Sequence, residues 1–153
     1  MFKKKFVDKV EGYIVAIDEM VSRIMQDSMI FSEGIYNCEV QPIMFGLGGF
    51  IIGVFFSEND PKYRMMKFIF RYYKQMVSQS EYANEVEYFA SIMEDTYSNL
   101  KKITMHFTFL NDCPIFDLMA SCIAEQFNIE SNKTTIEAIR KHIELYINQC
   151  SAI

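Results

Sequence analysis

The chain has 153 residues, half of them hydrophobic and 23% charged, with only 3 Pro and 6 Gly. That is enough apolar material for a packed core and too little polar bias for disorder. The length is that of one domain, here 1–153. A formal charge of −5 argues against a general nucleic-acid binder or a protein that adheres to anionic membranes.

The opening MFKKKFVDKVEGYIVAIDEM is basic at its start, but Asp8, Glu11, Asp18 and Glu19 interrupt any stretch that could serve as a signal-peptide core. Phe6, Val10, Tyr13, Ile14, Ile17, Met20, Val21, Ile24, Met25 and Met29 recur by three and four, which predicts a first amphipathic helix from Phe6 to Ile30. Ser32 to Gln41 reads as a loop, with a short strand as the competing reading.

Pro42 suits a first helical turn and opens the run IMFGLGGFIIGVFF. This uncharged stretch, Ile43 to Phe56, is shorter than the ~18–20 residues a helix needs to cross a bilayer, so it predicts a buried central helix. Each helical Gly costs ~1 kcal/mol relative to Ala, which favours a turn or strand. Against that, Gly46, Gly49 and Gly53 are spaced by three and four, so a helix would align them in a groove where another backbone approaches closely.

Ser57 to Pro61 is a break with capping residues, after which a third helix runs to about Ser78. Met65, Met66, Ile69, Phe70, Tyr73, Met76 and Val77 form its apolar arc, and Arg64, Lys67, Arg71 and Lys74 its basic one. A fourth helix begins at Ser80-Glu-Tyr, with Glu87, Glu94 and Asp95 on its polar arc. Ile103 to Leu110 fits either a strand, by alternation, or a continuation of helix four. Asn111-Asp-Cys-Pro precedes a fifth helix from Ile115 to about Phe127, and Ser131 to Thr135 caps a last one from Ile136 to about Cys150. The pattern predicts an all-α single-domain bundle of about six helices with a Gly-rich central helix. Its competitor is an α+β fold with a small sheet from residues 35–41, 49–56 and 103–110.

The chemical inventory is thin. Cys38, Cys113, Cys122 and Cys150 form neither a CxxC pair nor zinc knuckles, which predicts free thiols and a cytoplasmic setting. His106 and His142 sit in no metal motif, so neither a metal nor a cofactor is expected. His106-Phe107-Thr108-Phe109 resembles one half of the two-histidine phosphoesterase motif, but the other half is absent: His142-Ile-Glu144 would set a carboxylate against the phosphate. Gly46-Leu-Gly-Gly49 lacks the Gly-Lys-Ser/Thr of a phosphate loop.

Two features remain. Arg64, Lys67, Arg71 and Lys74, with Tyr63, Phe68 and Tyr72 beside them, form a candidate anion-binding stripe. Glu87, Glu94 and Asp95 form a candidate face for a basic partner; pairing between the two stripes, or plain solvation, is the competing account. The 11 Met, 14 Phe and 9 Tyr suit either core filling or an adaptable pocket. The reading that follows is a non-enzymatic protein-interaction module binding a basic protein. In charge and size it is similar to small acidic immunity or inhibitor proteins. The alternatives are a bundle holding a small apolar ligand in a Met- and aromatic-lined pocket, or an enzyme whose site is assembled from distant residues; self-association as a homodimer stays open.

Overall fold

The computed structural model describes residues 2–31, 39–56, 63–107 and 115–153, with side chains at all of these except 2–4, 106 and 107. Its elements are helices α1 (Phe2–Met25), α2 (Val40–Phe55), α3 (Arg64–Ser78), α4 (Val86–Phe107), α5 (Ile115–Gln126) and α6 (Lys133–Ser151). A single 3₁₀ turn, Ala83–Glu85, precedes α4. The fold is an all-α bundle.

The α+β competitor fails wherever its segments are described. Residues 49–55 lie within α2, 40–41 open it and 103–107 end α4, while 35–38 and 108–110 lie outside the described residues. There is no strand among the described residues. The alternation at Ile103 is overridden because Leu100, buried one turn earlier, keeps the helical stripe running into Ile103, which packs on the core.

Helix α2 is the axis of the bundle. Pro42 to Gly53 is buried without a break, as expected for a helix apolar on every side. It packs most extensively on α4, then on α3 and α1, while α6 lies against α5 and α1. Pro42 occupies the first turn, where a missing N–H goes unnoticed. One contiguous core draws Ile17, Phe45, Ile69, Met93, Ile123 and Ile143 from the six helices in turn.

Several helix boundaries differ from the periodicity, and at two of them a side chain supplies the local reason. Helix α1 stops at Met25 rather than Ile30, because the Asp27 carboxylate accepts the Met29 N–H at 2.9 Å and folds the chain into a turn. Helix α4 starts at Val86 rather than at Ser80, since Ser80 Oγ donates to the Val77 carbonyl at 2.7 Å and accepts the Tyr82 N–H at 3.1 Å. Helix α5 closes with Asn128 at φ 59°, where the Ile129 N–H reaches the Ala124 carbonyl at 3.2 Å and the Asn128 N–H the Glu125 carbonyl at 2.9 Å. Asn132 then caps α6 by accepting the Thr135 N–H at 2.9 Å.

Candidate functional site

The basic arc of α3 is exposed at Arg64, Lys67 and Arg71, and three of its four cations make contacts within the molecule. The Arg64 guanidinium lies over the Phe6 ring and that of Arg71 over the Phe68 ring, each 5.4 Å from the centroid, and the two rings meet edge to face at 5.3 Å. Lys74 Nζ lies 3.1 Å from Glu94 Oε1. With both side chains about half exposed, this pair contributes ~0–1 kcal/mol and mainly aligns α3 beside α4. Lys67 is exposed.

The acidic arc is therefore divided. Glu94 faces Lys74, whereas Glu87 and Asp95 are exposed and pair with no cation among the described residues. Phe89, Met93, Thr96 and Leu100 turn inward and hold these carboxylates outward by helical geometry alone. Between Gln75 and Leu100 the sequence holds no Lys or Arg but carries Glu81, Glu85, Glu87, Glu94 and Asp95. Tyr88, 53% exposed, lies on the same helix, and its hydroxyl donates to Glu39 Oε1 at 2.5 Å.

Beside this face a cavity of about 270 Å³ opens where the ends of α1 and α3 meet the starts of α2 and α4. Val21, Tyr73, Val77 and Phe89 form its buried floor, Met25 and Met76 its flexible walls, and Glu81 lies on its rim. Composition hinted at such a place through its Met content, but no spacing in the sequence assembles it. A smaller hollow of about 160 Å³ lies between Phe50, Tyr63 and Tyr97, with Lys101 at its edge.

The three glycines differ in what surrounds them. A Cβ at Gly46 would lie 2.5 Å from the Met93 carbonyl oxygen, so here two backbones do meet. At Gly49 it would strike the Phe70 ring at 2.4 Å, and at Gly53 it would make ordinary contact with Tyr63 at 3.4 Å. Gly48, outside the three-and-four series, is as crowded as Gly49, since its Cβ would lie 2.5 Å from Ile17 Cγ1. The Tyr146 hydroxyl also donates to the Gly48 carbonyl at 3.0 Å.

Among the described residues, His142 and the cysteines of α5 and α6 are buried in the core. His142 Nε2 donates to Asp27 Oδ2 at 2.7 Å, tying α6 to the turn after α1, while its Nδ1 is buried without a partner. Burial pushes the Asp27 carboxyl up, but the hydrogen bonds from His142 and the Met29 N–H, with the nearby charges of His142 and Lys141, outweigh it and hold the group below its ordinary value. Burial pushes the Cys122 and Cys150 thiols up to about 11. Both should therefore be unreactive, since the thiolate is the nucleophile. With Cys38 and Cys113 changed to Ser, a disulfide-exchange reagent at pH 7.5 is expected to label neither remaining thiol until denaturant is added; rapid labelling of the native protein would contradict this. No group of three or more His, Cys, Asp or Glu among the described residues is placed to hold a metal ion. No helix among them is long and apolar enough to cross a membrane.

The fold and this surface define an acidic, all-α bundle built around a buried, glycine-rich helix. Comparison of the chain with protein families, curated proteins and solved structures returns no match.

Proposed function

We propose that this protein works by binding another protein with a positively charged surface, and that the outward face of α4 steers the encounter. The observation that carries the reading is the exposure of Glu87 and Asp95 in a stretch of chain with no basic residue. Carboxylates gathered on one face create a negative local potential, bounded by the exposed Lys101 and Lys102 further along α4, and such a field accelerates association with a positive partner. Glu94 contributes less, because Lys74 offsets it. The thin chemical inventory supports the same reading: the thiols of Cys122 and Cys150 are raised, and His142 is engaged with Asp27. An immunity- or inhibitor-type role, in which an acidic surface neutralises a basic partner in the cytoplasm, belongs to this proposal.

The test is capture of the partner from the native host, followed by association kinetics at two ionic strengths. Glu87→Lys with Asp95→Lys should leave the helical spectrum intact, slow association about tenfold or more, and remove most of its salt dependence. Equal rates for wild type and double variant would reject the α4 face. Turnover of a small substrate with no protein partner recovered would reject the binding reading itself.

A further inference from the structure

The cavity beside α4 adds a recognition element to that reading, on which the inference rests. We propose that it is a socket for one aromatic side chain, presented by a partner segment that carries Lys or Arg on either side of it. The argument starts from size. At about 270 Å³ the cavity exceeds the ~150 Å³ that accommodates a benzene ring, and falls below the ~300–1,000 Å³ of sites that enclose a drug-sized molecule. One large side chain fits.

Its lining suits an aromatic ring. Tyr73 and Phe89 offer aromatic surface, each already set against another ring: Tyr73 with Phe45 at 4.8 Å and Phe89 with Tyr82 at 5.5 Å. Their positions are thus fixed before anything binds. Met25 and Met76, half-buried on the walls, supply polarizable thioethers that adjust to a ring's edge. A desolvated pocket receiving an aromatic anchor is the usual core of a tight protein contact.

Charge complementarity selects the flanks. Glu81 lies on the rim itself; Glu85 follows it in the 3₁₀ turn, and Glu39, two positions before the lining residue Gln41, accepts from the Tyr88 hydroxyl. The nearest cations in sequence are Lys74, turned to Glu94, and Arg23, which lies between Val21 and Met25 on α1 and lines a separate hollow with Asp18 and Glu19. An anchor flanked by cations therefore meets an apolar floor and an anionic rim, and one flanked by carboxylates meets repulsion.

The chain contains no Trp, so indole emission comes from the peptide alone. The probes are the blocked pentapeptides Gly-Lys-Trp-Lys-Gly and Gly-Glu-Trp-Glu-Gly, with Gly-Lys-Ala-Lys-Gly as a competitor. The Lys-flanked Trp peptide should show a saturable blue shift that weakens with salt. The Glu-flanked peptide should show none, and the Ala peptide should fail to displace the first. Glu81→Lys should weaken uptake about tenfold. Val77→Phe, which fills the floor, should abolish it, and Met25→Phe on the wall serves the same purpose if the first variant does not fold. Absence of a blue shift, equal uptake of both Trp peptides, or uptake indifferent to Glu81→Lys and to cavity filling would each overturn the socket. A dimer that dissociates on cavity filling, with no peptide uptake, would overturn it in favour of a second copy as occupant. The two readings fail separately. Association slowed by Glu87→Lys with Asp95→Lys, but without peptide uptake, removes the socket and keeps the acidic face. Peptide uptake with unchanged association does the reverse.

Discussion

Replacing Gly46 with Ala should destabilise the protein by ~3 kcal/mol, the upper end of the usual overpacking cost, and lower its melting temperature by roughly 6–12 °C. The added methyl would lie 2.5 Å from the Met93 carbonyl oxygen and 2.9 Å from Thr96 Cβ. Neither neighbour is a flexible side-chain end. The carbonyl belongs to the α4 backbone, and Thr96 is fully buried, with its hydroxyl donating to the Ile92 carbonyl at 3.0 Å. Relief therefore requires α2 and α4 to separate along the most extensive helix contact in the fold. Gly53→Ala is the matched control: its Cβ meets Tyr63 at 3.4 Å and Met66 at 3.6 Å, so the ~1 kcal/mol gain in helix propensity should leave melting unchanged or raised. Thermal unfolding of the two variants checks the difference. Coincident curves for Gly46→Ala and wild type would show that the two backbones do not meet there.

The second large effect is expected at the junction of α1 and α6. Asp27→Ala removes the acceptor of His142 Nε2 and of the Met29 N–H, which leaves a buried imidazole without a partner on either nitrogen. The expected cost is ~1–3 kcal/mol near neutral pH. Its pH dependence has a definite sign. Asp27 has a depressed folded-state pKa, so the stability it contributes is complete above the unfolded value of ~3.9 and is lost as pH falls through the folded value. The gap between wild type and variant should thus be full at pH 6 and close progressively below about pH 4. Denaturant unfolding at a series of pH values measures it. A gap that stays constant down to pH 2.5 would assign the contribution to packing instead of ionisation.

How much of the candidate site was legible can be followed residue by residue. Glu87, Glu94 and Asp95 lie on one outward arc because a period of 3.6 residues places them there, and the same period sets Arg64, Lys67, Arg71 and Lys74 opposite the buried Ile69 and Tyr73. That Lys74 reaches Glu94, while Arg64 and Arg71 lie over Phe6 and Phe68, depends on how α3 sits against α4 and α1. The cavity was illegible for the same reason, since Val21, Gln41, Tyr73, Glu81 and Phe89 share no spacing. His142 and Asp27 likewise meet across most of the chain.

By itself, the sequence pointed to the all-α class and the buried central helix, because helix formation is local and a charge-free helix must be covered on every side, but it left a small sheet open as a competitor. It did not determine the helix ends at Met25 and Val86, where the side chains of Asp27 and Ser80 compete with the backbone for its hydrogen bonds. Which glycine permits a close crossing was decided by the tertiary structure alone. Gly46 and Gly53 are equivalent in the pattern, yet one faces the α4 backbone and the other the edge of a tyrosine ring. The difference lies in the packing of whole helices, a long-range property that periodicity along one helix does not contain.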